Sequence, residues 1–321
     1  MNTITGTDIS RAAGFLKEGK LVAIPTETVY GLAGNALDED AVLNIFRTKN
    51  RPAFDPLIVH VSGLKEAGKY AMNIPDVAYE LMKSFWPGPL TVLLQKKQIV
   101  PDLVTSGLST VALRMPDHPM TLALLEQLNF PLAAPSANPF GYISPTTAGH
   151  VADQLSGKIH YILDGGSCRV GIESTIIGFE NNQCIVYRLG GMDIDKILQI
   201  AGDVQIAESG NPLPNAPGML KSHYAPTRPV YFGDMKQLMK KWNSPTAAYL
   251  CFTGKGYEFP AGSKVYTLSP QGNLDEAAKH LFTALRAFDK SDADYLLAEK
   301  FPDKGLGKAI NDRLMRASAR E

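Results

Sequence analysis

The sequence has few cysteines, and none of them forms a close pair. Its 321 residues include three, Cys168, Cys184 and Cys251, without a C-x-x-C spacing. A small secreted fold held by disulfides needs paired cysteines, and structural zinc sites commonly use such pairs. The sequence therefore argues against both, and we expect a protein of a reducing compartment, the cytoplasm.

The sequence also lacks a net charge and a long apolar run. Lys and Arg total 32, as do Asp and Glu. Net charge therefore does not favour nucleic-acid binding, although a neutral chain can still carry a local basic groove. No stretch approaches the ~18 apolar residues that a transmembrane helix needs. The start, "MNTITGTDISRAAGF", lacks the basic and then apolar pattern of a secretory signal. We expect no membrane association.

Helical and strand patterns alternate from residue 8 to about 206. Helical periodicity occurs in "DISRAAGFLKEGK", "DEDAVLNIFRTKN", "VAYELMKSF", "HPMTLALLEQLN" and "TTAGHVADQLSG". Strand patterns occur in "KLVAI", "LIVHV", "LTVLLQ", "STVALRM", "FPLAAPS", "HYILDGG", "STIIGFE" and "CIVYRLG". This alternation predicts an α/β domain. Because several strands follow one another without a helix between them, a mixed sheet is expected.

A proline-rich segment and a second α/β pattern follow. The stretch "AESGNPLPNAPGMLKSHYAPTRP" has five prolines and cannot form a regular helix or a central strand. "VYFG", "TAAYLCF" and "KVYTL" then predict strands, and "NLDEAAKHLFTALRAFDKS" and "GKAINDRLMRASAR" predict helices. We expect a catalytic domain at 1–206, a linker at 207–228 and a C-terminal domain at 229–321. Met219, Leu220, His223 and Tyr224 are unusual in a spacer, which favours a lid.

Four polar segments interrupt the first domain near strand ends, where open α/β sheets bind ligands. They are "PTETVYG", "TKNRPAFDPLIVH", "PSANPFGYISPTT" and "GIESTIIGF". Taken singly, each could be ordinary turn chemistry. Together with Arg114 and Arg188 they combine one Lys, three Arg and many hydroxyls without a matching Asp/Glu cluster, which predicts an anion pocket suited to phosphate and no protein-held metal. Neither a P-loop nor a G-x-G-x-x-G fingerprint is present.

These motifs carry a resemblance to a known family. "IPTETVYGL", "KNRPAFDPLIVHV", "WPGPLTVLL", "VALRMPDHP", "PSAN" and "APGMLKSHYAP" together resemble the threonylcarbamoyl-AMP synthases, the Sua5/YrdC/YwlC family. The resemblance covers nearly the whole chain and includes the C-terminal domain of the long Sua5 type. It implies a YrdC-like three-layer domain with a twisted mixed sheet, plus a smaller Rossmann-like α/β domain.

The resemblance implies a nucleotidyltransferase of tRNA processing. Such an enzyme makes L-threonylcarbamoyl-adenylate from L-threonine, bicarbonate and ATP and releases pyrophosphate, for the threonylcarbamoyl modification of adenosine 37 in tRNA. Magnesium is expected to arrive on the ATP phosphates. A tRNA threonylcarbamoyl transferase complex is expected to receive the adenylate, and a weak contact with tRNA is expected as well.

The resemblance also implies the site residues. Lys49 and Arg51 are expected to be catalytic. The residues expected to bind threonine are Thr28, Tyr30, His60, His118, Ser136 and Ser174. The residues expected to bind ATP are Arg51, Asp55, Arg114, Asn138, Ser144, Thr146, Arg188, His223 and Tyr224.

Three other functions are compatible with the residues alone. The cationic concavity could bind RNA directly, although neutral charge and few nearby aromatics count against this. A YrdC-like domain could instead form a carbamoyl-adenylate from carbamoyl phosphate, but the zinc-finger C-x-x-C pairs of such proteins are absent. A nucleotide sensor without turnover is the third alternative, and pyrophosphate release would exclude it.

Overall fold

A computed structural model describes residues 2–181, 183–207, 223–242 and 244–319. The strands are β1 Ile4–Gly6, β2 Val22–Ile24, β3 Gly31–Asn35, β4 Ile58–His60, β5 Leu90–Gln95, β6 Thr110–Arg114, β7 Leu132–Ala133, β8 Tyr161–Leu163, β9 Thr175–Glu180, β10 Gln183–Arg188, β11 Val204–Ile206, β12 Val230–Gly233, β13 Ala247–Cys251, β14 Lys264–Thr267 and β15 Tyr295–Glu299. The helices are α1 Ile9–Lys17, α2 Glu39–Lys49, α3 Leu64–Tyr70, α4 Asp76–Phe85, α5 Asp102–Thr105, α6 Pro119–Glu126, α7 Ala148–Leu155, α8 Ile194–Ala201, α9 Met235–Lys241, α10 Leu274–Asp289 and α11 Leu306–Ser318. None of these helices is long and apolar enough to cross a membrane.

The first eleven strands form one sheet in the order β1-β8-β2-β3-β7-β4-β6-β5-β9-β10-β11. Parallel and antiparallel neighbours both occur within it: β4 is parallel to β6, whereas β5 is antiparallel to β6. The expected mixed sheet is therefore confirmed. We call residues 2–207 the N-terminal unit.

Helices cover both faces of this sheet. Side chains alternate between the faces along a strand, and the segment of β2 shows this directly. Leu21 and Ala23 belong to the core that contains side chains of α2, α4 and α7. Val22 and Ile24 belong to a separate core built with α1 and α6. The N-terminal unit thus has the three layers that were expected.

The end of α2 positions the Lys-x-Arg pair. Asp38 caps the start of the helix by accepting bonds from the backbone N–H groups of Asp40 and Ala41, as a good N-cap residue does. Asn50 ends the helix with φ 52°, a left-handed conformation that asparagine tolerates better than most residues. Lys49 is consequently the last helical residue, and Arg51 begins the loop that leads into β4.

The last four strands form a smaller, fully parallel sheet in the order β12-β15-β13-β14. Along β13, Ala248 and Leu250 pack in a core with α10 and α11, whereas Tyr249 and Cys251 pack on the side of α9. The expected smaller α/β layer structure is therefore confirmed. We call residues 223–319 the C-terminal unit. The domain limits stay a prediction, and most of the expected linker, residues 208–222, lies outside the described residues.

The two units share one hydrophobic core. Val29, Ile143 and Ile172 of the N-terminal unit belong to the same buried cluster as α10 and α11. The backbones approach each other closely at Gly171, where a Cβ atom would lie 2.4 Å from Cα of Lys279. Gly171 also has φ +82°, which glycine adopts without strain. Helix α10 therefore lies directly against the loop that precedes Glu173.

Candidate active site

One cavity, with a volume of about 50 Å³, is lined by residues from all four polar segments. Its walls come from the ends of β2, β7 and β10, the residues just before β9, and the segment around β4. The lining residues are Thr26, Thr28, Val29, Gly31, Arg51, Pro56, Ile58, His60, Arg114, Ala134, Pro135, Ser136, Glu173, Ser174, Arg188, His223 and Tyr224. Ligand pockets usually measure about 300–1,000 Å³, so this volume is smaller than that of a typical ligand pocket.

The turn after β2 is held by its own hydroxyl groups. Oγ1 of Thr26 accepts hydrogen bonds from the backbone N–H groups of Thr28 and Val29 at 3.1 and 3.2 Å. The Thr26 and Thr28 hydroxyls lie 2.9 Å apart. These bonds satisfy buried backbone donors, and they fix Thr28 in the cavity wall.

Arg51 organises the loop before β4. Its Nε donates to the carbonyl of Asp55 at 3.0 Å, and one terminal nitrogen donates to the carbonyl of Pro56 at 2.8 Å. The same nitrogen lies 2.9 Å from the Asp55 carboxylate. Burial lowers the pKa of Arg51. The guanidinium thus faces the cavity from a loop that it holds in shape.

Lys49 lies behind the wall rather than in it. Its Nζ donates to the carbonyls of Ser136 and Asn138 at 2.6 and 2.5 Å, and the side chain is buried. Burial and the neighbouring charge of Arg51 hold the pKa of Lys49 well below its ordinary value. Lys49 therefore joins the end of α2 to the segment that carries Ser136 and Asn138.

Two further arginines complete the cationic part of the cavity. Arg114 forms a buried ion pair with Glu27. Arg188 donates to the carbonyl of Ser174 from Nε at 3.0 Å and from a terminal nitrogen at 2.9 Å, and that nitrogen also lies 3.0 Å from Oγ of Ser174. The Ser174 hydroxyl lies 2.7 Å from that of Thr91. Arg188 therefore orients the residues that begin β9.

Both histidines of the cavity are neutral at pH 7. Burial and the charge of Arg114 lower the pKa of His60 to about 3. Burial and the charges of Arg51, Lys49 and other cations lower the pKa of His223 well below its ordinary value. Neutral imidazoles donate and accept hydrogen bonds without adding charge, so the positive charge of the cavity comes from its arginines.

Nine of the predicted site residues line the cavity: Thr28, Arg51, His60, Arg114, Ser136, Ser174, Arg188, His223 and Tyr224. Four others support it from behind: Lys49, Asp55, Asn138 and Ser144. The structure does not bring the remaining three to the wall. Tyr30 donates to the carbonyl of Gly166, His118 contacts the carbonyl of Gly165, and Thr146 contacts His150 and Thr283.

The cations, for which no matching Asp/Glu cluster was expected, each have individual acidic neighbours. Arg51 pairs with Asp55, Arg114 pairs with Glu27, and Glu173 lines the cavity. Glu27 lies in the motif "PTETVYG" and Glu173 in "GIESTIIGF". In each motif the sequence signal is a single acidic residue next to a buried strand. No group of three or more His, Cys, Asp or Glu side chains in the described part of the chain could hold a metal ion.

A further residue of the site comes from the C-terminal unit. Arg313 of α11 is buried, and its Nε donates to the Glu173 carboxylate at 3.1 Å. Its segment, "GKAINDRLMRASAR", predicts only a helix. No local pattern in the sequence could have shown that this side chain reaches the cavity wall.

Comparison with known proteins gives two family matches that cover most of the chain. Residues 14–190 match the family of Sua5, YciO and YrdC proteins, described as telomere recombination. Residues 192–319 match the family described as the C-terminal domain of threonylcarbamoyl-AMP synthase.

Relatives match over nearly their whole length. The threonylcarbamoyl-AMP synthase of Pyrococcus abyssi is 44% identical over 317 residues, covering 96% of this chain and 93% of the relative. That of Bacillus subtilis is 40% identical over 321 residues, covering 97% and 92%. A crystal structure of P. abyssi Sua5 complexed with L-threonine superposes with a TM-score of 0.91 at 40% identity, covering 99% of this chain and 98% of the other.

Proposed function

Because the chain belongs to the Sua5/YrdC family of threonylcarbamoyl-AMP synthases, we propose that the arginine-lined cavity is where it makes L-threonylcarbamoyl-adenylate. The chain is an enzyme of this type, with L-threonine, bicarbonate and ATP as substrates and pyrophosphate as the second product. The observation that carries the placement is that Arg51, Arg114 and Arg188 meet two neutral histidines in one buried cavity.

The chemistry needs positioning and charge stabilisation more than a nucleophilic side chain. The amine of threonine forms a carbamate, either with CO₂ and loss of a proton or with bicarbonate and loss of water. A carbamate oxygen then attacks the α-phosphorus in line, the bond to the bridging oxygen breaks, and pyrophosphate leaves. Negative charge spreads over the phosphoryl oxygens in the transition state. Fixed cationic donors such as Arg51 stabilise that charge without reorganising.

We assign ATP to the side of the cavity formed by Arg51, Arg114, Arg188, His223 and Tyr224. Asp55 acts by holding Arg51, whereas Asn138 and Ser144 support the wall. Thr146 would reach the nucleotide only after the wall moves, because it does not line the cavity.

We assign threonine to the side that carries Thr28, His60, Ser136 and Ser174. These side chains combine short hydroxyl groups with a neutral imidazole, which suits a small zwitterion whose amine must react uncharged. Tyr30 and His118 contact the loop at Gly165 and Gly166, so any effect that they have on threonine binding acts through that loop.

Magnesium is proposed to enter with ATP. The carboxylates beside the cavity are engaged by arginines: Glu27 by Arg114, Asp55 by Arg51 and Glu173 by Arg313. Magnesium prefers oxygen ligands and commonly binds through phosphates and water. The ion would thus be a companion of the substrate, held by its phosphates.

The reactivity of the product determines what must follow its synthesis. A carbamoyl–phosphate mixed anhydride hydrolyses readily, so we propose that it passes directly to a tRNA threonylcarbamoyl transferase complex. A cytoplasmic location and a weak contact with tRNA stay predictions.

The decisive assay is pyrophosphate release from ATP that requires both threonine and bicarbonate. Omitting either substrate should reduce release to background. Carbamoyl phosphate should not replace threonine and bicarbonate; if it does, the chain forms a carbamoyl-adenylate instead. ATP binding without threonine-dependent turnover would indicate a sensor, and tight, salt-sensitive RNA binding without turnover would indicate an RNA-binding protein.

A further inference from the structure

Two buried arginines of the C-terminal unit reach into the N-terminal unit beside the cavity. Arg313, on α11, is completely buried. It donates from Nε to the carboxylate of Glu173 at 3.1 Å and from a terminal nitrogen to the carbonyl of Leu189 at 2.5 Å. Its guanidinium also lies 5.2 Å from the centre of the Tyr224 ring. Glu173 and Tyr224 are both cavity-lining residues.

The Glu173 carboxylate also contacts the segment between β7 and α7. Its second oxygen accepts a hydrogen bond from the Ser144 hydroxyl at 2.5 Å. Arg286, on α10, donates to the carbonyls of Ile143 and Ser144 at 2.5 and 3.4 Å. Ser144 is therefore held on its hydroxyl by a residue that Arg313 positions, and on its carbonyl by Arg286.

The negative charge of Glu173 makes these contacts important for nucleotide binding. A buried carboxylate without a partner is strongly unfavourable. At Glu173 it would also face the region proposed for the phosphates, whose negative charge it would repel. The guanidinium of Arg313, which does not itself line the cavity, compensates the carboxylate, so Glu173 can shape the wall without opposing ATP.

The packing leaves little freedom at this contact. Gly171, two residues before Glu173, has no space for even a Cβ atom against the backbone of Lys279 on α10. Ile172 belongs to the core of the C-terminal unit. The position of the C-terminal unit and the position of Glu173 are consequently coupled.

We propose that Arg313 is a positioning residue of the synthase reaction, and that through Glu173 and Tyr224 the C-terminal unit completes the nucleotide side of the site. Arg313 does not line the cavity, so it acts on ATP through its two partners. The inference rests on the proposed function in taking ATP as the nucleotide, and it gives the C-terminal unit a task in catalysis.

The test compares Arg313→Gln, Glu173→Gln and the double variant in the full-length protein. Arg313→Gln leaves Glu173 buried without its charged partner, so KM and Kd for ATP should rise by roughly tenfold or more. The KM for threonine should change by less than about twofold, since its proposed side chains do not contact Arg313. In the double variant both charges are gone, and ATP affinity should recover by roughly tenfold relative to Arg313→Gln.

Lys290→Gln is the matched control. It removes another ion pair between the units, Lys290 with Asp153 at 2.6 Å, but these side chains are exposed and neither lines the cavity. Its kinetics should equal those of the unchanged protein. If Lys290→Gln weakened ATP binding as much as Arg313→Gln, the effect would be one of unit docking and the inference would be wrong.

Two further results would overturn the inference. One is a folded Arg313→Gln variant with unchanged ATP affinity, and the other is a double variant no better than Arg313→Gln. If Arg313→Gln does not fold, Arg313→Lys takes its place. It keeps the charge but cannot span Glu173 and Leu189 together, so it should show an intermediate ATP KM, and an unchanged KM would reject the inference.

The experiments distinguish a failure of the proposed function from a failure of the positioning role of Arg313. If the unchanged protein releases no pyrophosphate with threonine and bicarbonate, the function is wrong, yet titration calorimetry with ATP still reports whether Arg313 acts on the nucleotide. If the unchanged protein turns over and only the Arg313 results disagree, the function stands and the positioning role is rejected.

Discussion

Arg114 and Glu27 form a buried ion pair at 2.6 Å beside the cavity, although 87 residues separate them in sequence. The exposed fraction of their side chains is 4% and 1%. Glu27 also accepts a hydrogen bond from the backbone N–H of Asp117 at 3.0 Å. The pair therefore ties the turn after β2 to the loop after β6, and it holds Arg114 at the site.

Glu27→Gln should destabilise the protein and reduce turnover. Removing one partner leaves Arg114 as an uncompensated buried charge, so the free energy of unfolding should fall by about 3 kcal/mol or more. Urea unfolding measures this loss. The matched control is Glu18→Gln, because Glu18 pairs with Lys20 on the surface and should cost less than about 1 kcal/mol. Equal losses in the two variants would contradict the role of the buried pair.

Arg51→Lys should remove most activity and leave the chain folded. A lysine cannot hold the carbonyls of Asp55 and Pro56 while also facing a phosphate, because it lacks the planar fork. We expect kcat/KM to fall by an amount equivalent to roughly 2–4 kcal/mol of transition-state stabilisation. Steady-state pyrophosphate release measures it, with circular dichroism as the folding check. Arg169→Gln, a change at an exposed cation, is the control, and wild-type turnover in Arg51→Lys would remove the assignment.

The Lys49→Met variant tests whether Lys49 acts by supporting the cavity wall or by contacting the substrates. Methionine fills similar space but leaves the carbonyls of Ser136 and Asn138 without their buried donor, which should cost about 1–3 kcal/mol of unfolding free energy. Activity should fall with it, because Ser136 lines the cavity. Thermal unfolding without ligands is the measurement. A variant that is inactive but as stable as the parent would show that the ammonium acts mainly on the substrates.

Serine should be a poor but detectable substrate. It differs from threonine by one methyl group, and a methyl-sized pocket discriminates by only about 1–3 kcal/mol. The ratio of kcat/KM for the two amino acids, taken from pyrophosphate release at saturating ATP and bicarbonate, tests this. Equal values would mean that Thr28, His60 and Ser174 form no threonine pocket.

Stability should decrease when the pH falls below about 6.5. Burial and the charge of Arg114 lower the pKa of His60 to about 3 in the folded chain, so the unfolded chain binds a proton that the folded chain excludes. The free energy of unfolding should therefore drop by about 1.4 kcal/mol per pH unit for this histidine, down to the folded pKa.

His60→Gln isolates this contribution, because His223 and His150 also have lowered pKa values and add to the slope. Urea unfolding at pH 7, 6 and 5 should show a shallower dependence in the variant by about one proton. Parallel curves for the variant and the parent would show that His60 is protonated in the folded state too.

Local signals were sufficient for much of the secondary structure. Helices α2 and α10 follow from their periodicity, and the structure adds the side-chain caps Asp38 and Asn273. Strand β3 was missed because "GLAGN" has two glycines and little strand propensity; it is a strand because β2 and β7 pair with it on both sides. Strand β15, "YLLAE", was missed although β12 and β13 enclose it.

Local signals also predicted part of the candidate site. Thr28, Arg51 and Ser174 lie in segments whose turn chemistry, charge and family motifs are local, so the sequence alone indicated segments that line the cavity and the family that they resemble. Only the tertiary structure decided that Glu27 compensates Arg114 and that Arg313 holds Glu173 from 140 residues away. A buried charge needs a partner, but its identity depends on which elements the packed cores bring together, and that is a property of the whole fold.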